Sequence, residues 1–155
     1  MGIRWYGWEI TAEESQRAAA DPWPVIREAD KRCGDPSWAV TDFDKAWVGM
    51  QRLFSDPTRA GSFTPRPAYE LVAGDVTYPN GYADGYDAYI GLIPARRVPV
   101  IARDLRTVTD ADLRSYGEAW GPCDYREEVA YFLDVAREFA DDVASRGHDV
   151  MYAIT

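Results

Sequence analysis

The chain has 155 residues, 46% of them apolar and 14% aromatic, and a formal net charge of −9. Such a length fits one domain, able to bury roughly 70% of the surface of its unfolded chain, and the composition argues against global disorder. Only two lysines, Lys31 and Lys45, and scattered arginines leave no cationic cluster to neutralise phosphates, which argues against a nucleic-acid role.

Residues 3–10, IRWYGWEI, are aromatic and β-branched, which suits a strand buried on at least one face. Thr11 with Glu14 three residues on forms a capping box, each side chain satisfying an orphan backbone amide, so a helix starts here. A second helix starts where Asp21 caps and Pro22 fits the first turn, and Gly34 can end it. In VTDFDKAWVGM, residues 40–50, Thr41 or Asp42 is expected to cap a helix. Its buried face would carry Phe43, Trp47, Met50 and Phe54, at spacings of four, three and four. Asp44 would then occupy the first turn, where the helix dipole favours a carboxylate by about 0.3–1 kcal/mol.

Residues 55–67 are loop by composition, and residues 68–74, AYELVAG, read as a short helix closed by Gly74. Residues 75–89 are the least regular part, with a turn at Pro79, Asn80 and Gly81 and another at Gly85. A strand is expected over residues 88–93, AYIGLI. Val98, Ile101, Ala102 and Leu105 then share a helical face, with Pro99 in the first turn because deeper inside it would cost about 3 kcal/mol. Thr109 and Asp112 resemble a second capping arrangement opening residues 110–120. The strongest helix spans residues 124–147, where Val129, Phe132, Leu133, Ala136, Phe139, Ala140 and Val143 form a stripe and Gly147 is the C-cap. Residues 148–155 close the chain as a strand. The element order predicts a single α/β domain over residues 1–155, a small mixed sheet packed with several helices.

Catalytic signals are sparse. Cys33 and Cys123 lie far apart, and with His148 as the single histidine the soft ligands are too few for a structural zinc, so no metal is expected. Gly81, Gly85 and Gly91 do not follow phosphate-loop spacing and no lysine stands where such a loop needs one, so no nucleotide or other cofactor is expected. Asp42 and Asp44 could in principle hold a cation, but at a helix start they would point about 200° apart, which favours capping. Any Ser–His or Cys–His mechanism would have to use His148, and no nucleophile elbow accompanies it. Cys123, in GPCDY before the long helix, has no identifiable partner. The opening MGIRWYGWEI lacks a basic region followed by an apolar run, Tyr6 stands where a myristoylation pattern needs Ser or Thr, and no apolar run approaches membrane-spanning length. A cytoplasmic protein with reduced thiols is the expectation.

The tyrosine run stands out. Tyr78, Tyr82, Tyr86 and Tyr89 surround Asp84 and Asp87 in an expected loop, with Arg96 and Arg97 following. Tyrosine supplies rigid contact area at low entropy cost, so these rings either pack the loop down or present a binding surface. Two functions follow. One is a non-catalytic interaction module binding a protein, a basic one by charge, through Tyr78, Tyr82, Asp84, Tyr86, Asp87, Arg96 and Arg97. The other is a small hydrolase or transferase acting on a small molecule, with carboxylates such as Glu9 or Asp87 as acid and base.

Taken together, MGIRWYGWEIT, DFDKAWVGMQRLF, IPARRVPVIARDLRTVTDADLR and YFLDVAREFADDVASRGHDVMYAIT resemble, in order and spacing, the YfbM-like family of small bacterial proteins. The resemblance implies an α/β fold and a domain of unknown function, with no catalytic residues to carry over. The chain departs from the family pattern between Ser55 and Tyr89 and at GPCDY.

Overall fold

The computed structural model describes residues 2–55, 65–120 and 124–155. Four strands form one sheet in the order β2-β1-β4-β3, and every pairing is antiparallel, so the sheet is not mixed as expected. The strands are β1 (Trp5–Ile10), β2 (Val40–Asp44), β3 (Tyr89–Ile93) and β4 (Asp149–Ile154). The helices are α1 (Ala12–Ala20), α2 (Pro22–Ala29), α3 (Trp47–Ser55), α4 (Val98–Leu105), α5 (Asp110–Trp120) and α6 (Asp124–Arg146). None of the described helices is long and apolar enough to cross a membrane.

Strand alternation divides the sheet into two apolar faces. Trp5, Phe43, Tyr152, Val150 and Ile93 meet the helices α3, α4 and α6 in the larger core. Trp8, Ile10, Met151 and Ala153 meet Ala18, Val25, Ile26 and Ala29 of α1 and α2 on the opposite face. On the larger face Gly7, Tyr152 and Gly91 stand side by side in register. A Cβ on Gly91 would lie 2.1 Å from the Tyr152 ring, and one on Gly7 2.1 Å from the Trp5 ring. Glycine at both positions makes room for a large ring, Tyr152 reaching from β4 across β3 and Trp5 lying along its own strand.

Local signals carry through. Thr11 accepts from the Glu14 amide while Glu14 reaches back to the Thr11 amide, the full capping box. Asp21 caps α2 through the Trp23 amide. The α6 stripe is buried at Val129, Leu133, Ala136, Phe139, Ala140 and Val143. Residues 68–74 hold a 3-10 turn, Pro67–Leu71, rather than an α-helix.

The helix start expected at Thr41 or Asp42 is not there. Residues 40–44 are strand β2, and Asp42 is exposed beside the buried Phe43. Its carboxylate accepts from the Asp44 amide at 3.2 Å, so it closes a turn rather than a helix. Asp44 turns the chain at φ 43, and the helix begins only at Trp47. The physical reason is non-local: the exposed edge of β1 offers backbone partners to Val40, Thr41, Asp42 and Asp44, and the register shifts at Phe43, in a segment where Val40, Thr41 and Phe43 are all good strand formers. Phe43 keeps its buried place, but by strand alternation instead of helical spacing. Trp47 is 4% exposed, and Trp47→Ala is expected to cost about 3–5 kcal/mol in urea unfolding.

Candidate functional site

Glu9 is the one acid of β1, and its parity with Trp5 and Gly7 aims it into the larger core, where it is 0% exposed. A buried carboxylate needs partners for both oxygens. Oε2 accepts from the Ala39 amide at 2.7 Å and from Arg146 Nη1 at 2.7 Å. Oε1 lies 2.6 Å from His148 Nδ1. Because a carboxylate only accepts, Nδ1 carries the proton, and in the neutral ring Nε2 bears the lone pair.

Two turns deliver these partners. Gly147, at φ 68, closes α6 in a Schellman motif: its own amide reaches Ala144 O at 3.2 Å and the His148 amide reaches Val143 O at 3.4 Å. That motif sets Arg146 and His148 at the Glu9 end of the sheet, directly before β4. The loop after α2 brings Trp38, whose ring stacks against His148 with centroids 5.5 Å apart and takes the Arg32 guanidinium at 3.7 Å. Arg32 also donates to the Glu9 carbonyl and pairs with Glu14. Burial pushes the Glu14 carboxyl up, but hydrogen bonds from Arg32 and Thr11 outweigh it and hold the group below its usual range.

The tyrosine loop lies at the opposite end of the sheet, because Tyr89 and Trp5 both pair with Ile154 while Ile93 and Glu9 both pair with Val150. A bridge between Thr77 and Asp87 closes the loop at its base. Tyr78 packs on Tyr82 with centroids 4.1 Å apart and meets Tyr86 edge-on at 6.0 Å. Tyr82 is 83% and Tyr86 42% exposed, and Asp75, Asp84 and Asp87 are exposed around them. Tyr89 instead turns inward and packs near Tyr152, whose phenol is pushed up mainly by burial.

Arg96 and Arg97 do not join this surface. They follow Ile93 at the far end of β3, where Arg97 pairs with Glu70 and Arg96 is exposed. Asp87 and Glu9 likewise stand at opposite ends of the sheet. Cys123 lies outside the described residues. Among the described residues no group of three His, Cys, Asp or Glu side chains could hold a metal ion. A groove of about 260 Å³ between α5 and α6, lined by Asp110, Leu113, Arg114, Glu127 and Ala130, brings no further chemistry together.

Sequence reasoning named Glu9 and His148 separately but missed that they meet, and it missed Arg32, Trp38 and Arg146. One signal was available: an acid at the buried parity of an otherwise apolar strand must find cationic or amide partners.

A model of the family described as "Domain of unknown function (DUF1877)" matches residues 1–119. No curated protein matches the chain. Among solved structures, the chain is similar to the protein of unknown function YfbM from Escherichia coli, at 13% identity and a TM-score of 0.61, over 98% of this chain and 99% of that one. The YfbM-like character expected from the sequence is therefore present, and at this identity the likeness speaks for the fold alone.

Proposed function

The chain belongs to the family described as a domain of unknown function (DUF1877), and from that premise we propose a binding module without catalysis that engages a protein through residues 75–89. The observation that carries this reading is the exposed pair Tyr82 and Tyr86, held in place by Tyr78 instead of folded into the core. Rings fixed by their neighbours lose little entropy on binding. The 4.1 Å spacing of Tyr78 and Tyr82 leaves no room for a cation between them, so a partner would stack on the outer faces. With Asp75, Asp84 and Asp87 around the rings, arginine side chains fit best, by cation–π contact and ion pairing. The exposed, unpaired thiol of Cys33 suits a reducing cytoplasm. A small hydrolase or transferase has less support, since Glu9 and Asp87 do not converge and both Glu9 oxygens are already taken.

The test is binding of an arginine-rich peptide to the wild type and to a Tyr82→Ala/Tyr86→Ala variant. Both proteins carry the same net charge, so non-specific attraction is common to them. The variant is expected to keep its melting temperature and lose about tenfold or more in affinity. Equal affinity would remove the tyrosine surface from the function, and loss of the fold would show the rings to be structural.

A further inference from the structure

The cluster around Glu9 is separate from the tyrosine surface and has its own chemistry. His148 is the only histidine of the chain, its side chain is 33% exposed, and its Nδ1 is bound by a carboxylate that is itself fully buried. No described residue hydrogen-bonds Nε2. A carboxylate behind an imidazole fixes the tautomer, orients the ring and balances the positive charge that the ring acquires when Nε2 is substituted.

We propose that His148 is a phosphoryl-acceptor site, its Nε2 accepting a phosphoryl group from an acyl phosphate. In this step the Nε2 lone pair bonds to phosphorus, the bond from phosphorus to the acyl oxygen breaks, and the carboxylate leaves with that electron pair. The proton on Nδ1 stays between the ring and Glu9, so no base is required. Two features favour phosphoryl over acyl transfer. The guanidinium groups of Arg146 and Arg32 lie in the same cluster, one on Glu9 and one on the Trp38 ring that His148 also touches, offering cations to a dianion. The His148 side chain is one-third exposed, which suits an acceptor reached by a donor more than a site of turnover. Glu9 acts as a positioning residue, through the ring.

Acetyl phosphate is the probe, with acid-labile, alkali-stable phosphate as the readout. The single histidine makes assignment direct, and His148→Gln is expected to abolish the label. The folded wild type is expected to react on the order of tenfold faster than the same chain unfolded in urea, a comparison that needs no variant. Folded Glu9→Gln should lose that advantage. The two donors at Oε2 require an oxygen there, so the new amide would face the ring, donate to Nδ1 and move the imidazole proton onto Nε2. Equal rates in folded and unfolded chains, or label persisting in His148→Gln, would overturn the proposal.

Discussion

Trp5→Ala is expected to lower unfolding free energy by about 5 kcal/mol, the top of the range for a buried aromatic, with urea denaturation as the measurement. Three losses coincide at this residue. Its ring is fully buried and stacks on Phe43 with centroids 3.9 Å apart, on Tyr152 at 5.5 Å, and edge-on to Phe139 at 6.4 Å. Its Nε1–H donates to the Leu71 carbonyl at 3.0 Å, the bond that fastens the 3-10 turn to the sheet. The ring also fills the space over Gly7, which has no side chain of its own to do so. Trp5→Phe retains the stack and gives up the hydrogen bond, so its cost should be nearer about 1–3 kcal/mol, the penalty for an orphaned buried acceptor. For a domain whose total stability is about 5–15 kcal/mol, the alanine variant would sit near the unfolding threshold. A loss below about 2 kcal/mol would mean that α3 and the 3-10 turn collapse into the vacated space.

The same residue shows which parts of this fold could be read from sequence. Helices announced by their own neighbours were legible: the Thr11 and Glu14 box, the Asp21 cap and the Gly147 terminus all act within a few residues. Strand β2 was not, because VTDFD satisfies a helical spacing through Phe43 and Trp47 as well as a strand alternation through Phe43 alone. Only the open edge of β1, more than thirty residues earlier in the chain, decides between them. The sheet's antiparallel character escaped for a related reason, since strand direction follows from the hidden β2 and from where the long helix returns the chain. At the sites, proximity in sequence misled once: Arg96 and Arg97 follow the tyrosines closely, yet β3 carries them to the other end of the sheet. The Glu9 and His148 contact spans 139 positions, and no local pattern encodes it.

Glu9→Leu is the variant expected to separate charge from packing at that contact. Leucine matches the volume of the buried side chain but offers nothing to Arg146, His148 or the Ala39 amide. Breaking a buried ion pair from one side costs about 3–5 kcal/mol, because the remaining charge is left in a low-dielectric site. Arg146 and His148 are 29% and 33% exposed, so water recovers part of the loss and about 3 kcal/mol is the expected value. If orphaned charge is the cause, removing it should help: Glu9→Leu/Arg146→Met should regain about half of that cost. Failure of the second substitution to recover stability would place the penalty at the Ala39 amide, whose bond to Glu9 fastens the Trp38 loop to the sheet. Glu9→Gln is milder, because its carbonyl keeps both donors at Oε2 and its amide can pair with a re-protonated ring. That variant can therefore stay folded while the lone pair moves from Nε2 to Nδ1, so a fall in His148 phosphorylation there would report the tautomer and not the fold.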